Sequence, residues 1–243
     1  MPQFWFATFL FLLTCSRVFP QSGADTTFLN VAVQNAVGLY HSELKSQAKL
    51  YNGSKYPSTY LGADEHPFFL SDDWIMGDVF YDGELFTDVP LIYDIVTSNL
   101  ITEHFPSGHA IQLVKGKLKR FSIAGHSFEK IENESVGGSL PKTDFYDILY
   151  RGESKVIAQH QKITRVLIES LQVRTTFAGK IRYYIFKNGV FFHVHSKASV
   201  LKVLSDEKRS LKKFLKTNGI YFGMDRESAL KRVAEFYDAL KDS

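Results

Sequence analysis

The chain has 243 residues, of which 29 are basic and 26 acidic, giving a net charge of +3. This near-neutral balance provides no electrostatic basis for nucleic-acid binding, so we expect no nucleic-acid partner. The single cysteine excludes an internal disulfide, and stability must therefore come from a packed core. The aromatic share of 14% favours a β-rich fold, in which rings stack across strands.

The N-terminus has the layout of an export signal. Residues 4–13 form an apolar run, which is shorter than the ~20 apolar residues of a membrane-spanning helix. Small and polar residues follow as far as Ala24. This arrangement predicts a signal peptide over residues 1–24 and a mature chain that is periplasmic, associated with the outer envelope, or secreted.

Other ways of processing the N-terminus stay open. A cut near Gln21 fits the same pattern, and the short apolar run argues against a retained anchor. Lipidation at Cys15 is a further alternative, although Thr14 is a poor residue immediately before a lipidated cysteine. Cleavage is the interpretation that the pattern favours.

Residues 25–51 are predicted to form a helix that ends at the turn Asn52-Gly53-Ser54. Apolar residues in this segment recur at spacings of three or four and form one stripe. The stripe consists of Val33, Val37, Tyr40, Leu44 and Ala48.

From Gly77 to about Ile131, short apolar segments alternate with turn residues. Strands separated by turn signals about every eight to twelve positions indicate an antiparallel meander. Asp82-Gly83 is a strong hairpin turn within it. The predicted strands are 79–81, 85–86, 91–96, 100–104, 110–114, 118–123 and 126–131.

A second set of strands follows a flexible stretch near 136–141, which is a candidate seam in what we otherwise treat as one domain, 25–243. Residues 163–179 fit either a helix or a strand. Two hairpins are predicted, 145–150 with 155–159 across Arg151-Gly152, and 181–186 with 190–195 across Lys187-Asn188-Gly189.

The C-terminal part is predicted to be helical. Ser196 and Ser205 are suitable N-caps, Gly219 fits the position just after a helix end, and Asp225 begins a last helix. The predicted fold class is therefore α+β. It consists of an antiparallel β-meander that can curl, with an N-terminal helix and two or three C-terminal helices.

Several segments together resemble a known group of proteins. They are Leu50–Gly53, His66–Phe69, Gly77–Gly83, Val89–Asp94, Lys187–Gly189, Ser196–Leu215 and Glu227–Leu240. In these segments the chain resembles a group of exported bacterial hypothetical proteins. The resemblance implies a bacterial cell-envelope or secreted protein. It implies no activity, catalytic residue or cofactor.

His193 and His195 form the candidate metal-binding pair. Alternate residues of a strand share a face, so both imidazoles project on the same side. Imidazole suits zinc or copper, but a site needs a third ligand, and the sequence supplies none at a useful spacing. The interpretation we favour is a surface pair in a Phe-rich hairpin, and no cofactor is predicted.

The strongest local charge feature is a basic ridge on a predicted helix. Such a ridge can bind an acidic partner protein, anionic lipid headgroups or an envelope polymer. A solvated helix face is the simpler interpretation. The ridge consists of Lys208, Arg209, Lys212, Lys213 and Lys216.

These patterns favour a non-enzymatic binding or scaffold module of the cell envelope. One alternative is an extracytoplasmic hydrolase that uses His and Asp/Glu residues of the meander, which requires a cleft where a His meets a carboxylate within hydrogen-bond distance. Another is a carrier of an apolar ligand in a curled sheet, which requires an apolar cavity of ~300 Å³ or more. A scaffold requires a filled sheet interior.

Overall fold

The computed structural model describes residues 31–33, 35, 49–57, 65–104, 107–131, 137–138, 140, 145–169 and 172–241. The predicted signal peptide, Cys15 and most of the predicted N-terminal helix lie outside these residues, although Val31–Val33 and Asn35 are helical. The chain divides into two compact units, residues 1–45 and residues 46–243. Everything described below belongs to the second unit.

Within the described residues, twelve strands form one sheet. Its order is β1-β5-β4-β3-β2-β6-β7-β9-β10-β11-β12-β8, so β1 and β8 are its edges. All pairings are antiparallel except that of β8 with β12. The strands are β1 Ser54–Lys55, β2 Ile75–Tyr81, β3 Glu84–Asp94, β4 Asn99–His104, β5 His109–Gln112, β6 Leu118–Ile123, β7 His126–Lys130, β8 Gly137–Gly138, β9 Phe145–Arg151, β10 Lys155–Glu169, β11 Gln172–Lys187 and β12 Val190–Val194.

Three helices follow the sheet, namely α1 Lys197–Val203, α2 Lys208–Thr217 and α3 Arg226–Lys241. Short 3-10 helices cover Lys49–Tyr51 and Ser205–Glu207. The Ser196 side chain caps α1 by accepting a hydrogen bond from the Ser199 amide. The chain is thus α+β, with a mostly antiparallel sheet and a few helices. No helix in the described part of the chain is long and apolar enough to cross a bilayer.

The ambiguous stretch 163–179 is a strand pair. β10 and β11 pair continuously from Lys155 opposite Phe186 to Glu169 opposite Gln172. The stretch is rich in Ile, Val and Thr, whose branched side chains favour extended backbone. β3 is likewise continuous across Pro90, where the sequence predicts two shorter segments.

The buried residues form three clusters. The two largest meet at β9, and the third consists of Leu140, Tyr146, Ile157, Tyr184 and Phe191. The helix core lies between β10–β12 and the three helices, and the meander core covers β2–β7. Phe145 of β9 belongs to the meander core, while Leu149 packs against the helix core. The helix core includes Val156, Ala158, Ile185, Leu201, Leu211 and Val233, and the meander core includes Val79, Tyr81, Leu91, Tyr93, Phe121 and Phe128.

Candidate metal centre

Three neighbouring strands bring His126, Asp147 and His160 together. Asp147 of β9 is opposite Phe128 of β7 and Ala158 of β10. His126 lies two residues from Phe128, and His160 lies two residues from Ala158. Because alternate residues of a strand share a face, all three side chains project from the same side of the sheet.

A single carboxylate oxygen links the two imidazoles. His126 Nδ1 lies 2.6 Å from Asp147 Oδ2, and His160 Nε2 lies 3.2 Å from the same oxygen. One ligand atom from each of the three residues lies within 4.8 Å of the other two. The three groups are therefore close enough to bind one ion.

The cluster is buried on one side and accessible on the other. The Asp147 side chain is 2% exposed and that of His160 is 8% exposed, whereas that of His126 is 28% exposed. A buried carboxylate is unfavourable unless a positive group or hydrogen-bond donors compensate its charge. The imidazoles provide that contact, and solvent reaches the cluster past His126.

Phe69 forms an aromatic wall against the cluster. Its ring contacts His126 and His160 edge-on, with centroid distances of 5.0 and 4.9 Å. It also meets Phe128 of the meander core at 5.1 Å. The Phe69 amide donates to the Tyr93 carbonyl at 2.8 Å, which fixes this residue against β3.

Lys162 fastens the segment that precedes Phe69. Its ammonium group donates to the carbonyls of His66 and Phe68 at 2.7 and 3.0 Å. Burial lowers the pKa of Lys162, and the charge of Glu65 opposes that effect. Since Lys162 and His160 are alternate residues of β10, one strand supplies both a cluster residue and the anchor of its aromatic wall.

The donor set comprises two imidazole nitrogens and a carboxylate oxygen. Catalytic zinc sites use three protein ligands of this kind and leave a fourth position for water. The same set also serves iron in some enzymes. The apolar surroundings supplied by Phe69 and Phe128 resemble the shell that limits solvent access at metal centres.

The sequence-predicted pair lies elsewhere, at the end of β12. The rings of His193 and His195 are stacked with an angle of 30° between their planes, and their centroids lie 6.0 Å apart. Burial lowers the pKa of His193, and the charges of His195, Arg182 and Lys180 add to this effect. Within the described ranges, no third Cys, His, Asp or Glu joins the pair to complete a site.

The five residues of the basic ridge all lie on α2 and are exposed. Leu211 and Leu215 are buried on the opposite side of the helix, where they join the helix core. In the part of the chain that the structure describes, none of the five forms an ion pair. The ridge is therefore available to an anionic partner, and it is distant in sequence from the His–Asp–His cluster.

Sequence reasoning missed this cluster because its members lie on separate strands. His126 begins one predicted strand, Asp147 lies within another, and His160 falls just beyond the predicted end at Gln159. The hairpin predicted at Arg151-Gly152 is the sequence signal that could have located part of the cluster. It brings β9 alongside β10, and once their register is known Asp147 and His160 become neighbours.

No protein-family model, curated protein or solved structure matches this chain.

Proposed function

We propose that this protein is an exported zinc-binding module with His126, Asp147 and His160 as its ligands. The observation that carries the proposal is the buried Asp147 oxygen, which nitrogens from both adjacent strands approach. A zinc ion would take His126 Nδ1, His160 Nε2 and a carboxylate oxygen of Asp147. This role falls in the non-enzymatic binding class that the sequence favours.

Charge balance supports a metal ion at this position. The Asp147 carboxylate is almost fully buried, and a buried carboxylate is unfavourable unless a cation or hydrogen-bond donors compensate its charge. A divalent cation held between the two rings would compensate it directly. It also couples binding to pH, since the ligands must be deprotonated.

Metal content tests the proposal directly. The mature protein is stripped with EDTA, incubated with zinc sulfate, desalted and analysed by mass spectrometry for metals and by calorimetry. We expect one zinc per chain in the wild type and at least ~100-fold weaker binding after Asp147→Ala or His126→Ala. His109→Ala is the matched control, because His109 is an exposed histidine of β5.

A second pair of variants separates this centre from the sequence-predicted one. The double variant His193→Ala with His195→Ala should keep its zinc. If that variant loses the metal while Asp147→Ala keeps it, the proposed centre is wrong and the β12 pair is the site. Binding that no variant changes would also overturn the proposal.

Export is the other part of the proposal, and it rests on the predicted signal peptide. The proposed location is the periplasm, the outer envelope or the exterior of a bacterial cell. The fold proposed for the mature chain retains the helix predicted over residues 25–51 ahead of the sheet. N-terminal sequencing of protein from the envelope and medium should give a start at Asp25. A start at Met1 would contradict export, and a lipid mass on Cys15 would select the lipoprotein alternative.

A hydrolase is a second candidate function, and the geometry of His126 favours it. Its Nδ1 contacts Asp147, and its side chain is the most exposed of the cluster. A zinc ion with three protein ligands can activate a water molecule at its fourth position. Zinc-loaded protein should then hydrolyse p-nitrophenyl acetate or bis-p-nitrophenyl phosphate faster than Asp147→Ala does. Equal rates would contradict the hydrolase and leave the zinc-binding module as the proposed function.

A further inference from the structure

A groove separate from the metal centre runs between the end of β12 and α1. Its volume is about 670 Å³. Small-molecule sites typically occupy ~300–1,000 Å³, so the groove can hold a ligand of considerable size. None of the three proposed zinc ligands lines it.

The groove has a one-sided charge distribution. Four of its lining residues are basic, namely Lys187, His193, His195 and Lys202, and none is acidic. Lys187 is already engaged, because its ammonium group lies 2.6 Å from Asp206 and donates to the Val203 carbonyl. Lys202 is exposed, and it forms no ion pair with any residue that the structure describes. It is therefore the cation available to a ligand.

The remaining wall of the groove is largely apolar. Val190 and Phe192 contribute from β12, and Val203 contributes from the end of α1. Phe192 is 40% exposed as a residue, so part of its aromatic side chain faces solvent beside the basic residues. An apolar wall next to an uncompensated cation is complementary to a molecule with an alkyl chain and an anionic head.

We propose that this groove binds a long-chain carboxylate, with the carboxylate at Lys202 and the alkyl chain on Phe192. The positive surroundings of His193 support this orientation. Burial is the main cause that lowers the pKa of His193, and the charges of His195, just beyond β12, and of Arg182 and Lys180 on β11 add to it. A bound carboxylate would offset these added positive charges.

Three probes separate the features of the ligand. Dodecanoate carries both the charge and the chain, dodecanol has the chain alone, and acetate has the carboxylate alone. Dodecanoate is titrated below its micelle concentration and dodecanol below its solubility limit, while NMR follows the ring signals of Phe192 and His193. Dodecanoate should bind at least ~10-fold more tightly than either of the others, which corresponds to 1.4 kcal/mol. It should also raise the pKa of His193.

Variants then locate the headgroup. Lys202→Glu should weaken dodecanoate binding at least ~10-fold, and Lys202→Ala should weaken it less. Lys231→Glu, an exposed charge reversal on α3, is the matched control and should leave binding unchanged. Three outcomes would each overturn the proposal. They are equal affinity for dodecanol and dodecanoate, unchanged dodecanoate affinity in Lys202→Glu, and no change in the Phe192 ring signals when dodecanoate binds. All of these titrations use EDTA-treated protein. A negative result would therefore contradict the carboxylate groove without testing the proposed zinc centre.

Discussion

The Lys162 ammonium donates to the Phe68 carbonyl at 3.0 Å, and so anchors the residue immediately before the aromatic wall of the proposed zinc centre. The same group also bonds the His66 carbonyl. A side chain of β10 therefore controls how firmly Phe69 covers His126 and His160.

Lys162→Met should loosen this wall while preserving most of the side-chain volume. We expect faster hydrogen exchange at the Phe69 amide and faster release of zinc to a chelator, because the segment loses two hydrogen bonds. Exchange mass spectrometry and stopped-flow release measure the two effects. Lys119→Met, at an exposed position of β6, is the control. Unchanged exchange at Phe69 would show that Lys162 does not hold the segment.

Asp147→Ala should reduce stability even without zinc. It leaves the buried His160 nitrogen without its acceptor, whereas water can reach His126, and loss of a buried polar partner of this kind costs ~1–3 kcal/mol. Urea unfolding in EDTA measures this loss, with Asp72→Ala on an exposed loop as control. Zinc at 100 times the wild-type Kd should then stabilise the wild type by ~2.7 kcal/mol and the variant by at most ~0.4 kcal/mol. Equal zinc responses would argue against Asp147 as a ligand.

Asp206 should make stability fall in acid. Burial alone would raise its pKa, but hydrogen bonds from Lys187, Lys241 and Tyr237 outweigh that effect and lower the pKa well below its usual range. The stabilisation is therefore complete above the unfolded-state pKa of about 4 and is lost progressively as the pH falls below it.

Asp206→Asn is the variant that tests this dependence. Urea unfolding measured between pH 6 and pH 3 should show a shallower decline in Asp206→Asn than in the wild type. Asp72→Asn, which changes an exposed carboxylate, should follow the wild-type curve. Parallel curves for wild type and Asp206→Asn would mean that the three hydrogen bonds do not favour the charged form.

The basic ridge is tested by reversing two of its charges. Lys212→Glu with Lys213→Glu should sharply reduce sedimentation with anionic lipid vesicles, because both side chains are exposed on α2. Neutral vesicles should bind neither protein. Raising the salt concentration should weaken wild-type binding, since the screening length falls to ~3 Å at 1 M. Unchanged vesicle binding in the double variant would show that the basic ridge does not bind anionic lipid.

Gly152→Ala should be destabilising for a steric reason. A Cβ at this position would collide with the Asp238 carboxylate and the Tyr150 hydroxyl. Asp238 is buried and accepts hydrogen bonds from Tyr150 and the Ser154 amide, so it cannot move freely. We expect a loss of ~1–3 kcal/mol in urea unfolding. Gly116→Ala, where the added methyl group meets open space, should be nearly neutral.

Local signals were sufficient for much of the fold. The Asp82-Gly83 and Lys187-Asn188-Gly189 turns connect strands as expected, because glycine readily adopts the positive φ of 86° and 80° found there. The middle of the β10–β11 pair was less clear. The ends of the two strands, 155–159 and 181–186, were predicted as strands, but the pattern of residues 163–179 fitted either a helix or a strand.

The metal centre depends on information that no single segment carries. His126 and Asp147 are 21 residues apart and become neighbours only when β7 pairs with β9. That pairing spans the stretch 131–144, where turn chemistry does not specify a register. His193 and His195 drew attention because they alternate in one short segment at the end of β12, whereas ligands from different strands leave no such pattern.

The position of β9 between the meander core and the helix core has a further consequence. An ion held by His126 and His160 would tie a strand of the meander core to a strand of the helix core. Bound zinc would then couple the unfolding of the part of the sheet that carries the meander core to that of the part that carries the helix core. Once the ion is removed, the single unfolding peak in calorimetry should separate into two. Binding of one ion at this cluster would then determine whether the sheet unfolds as one cooperative unit.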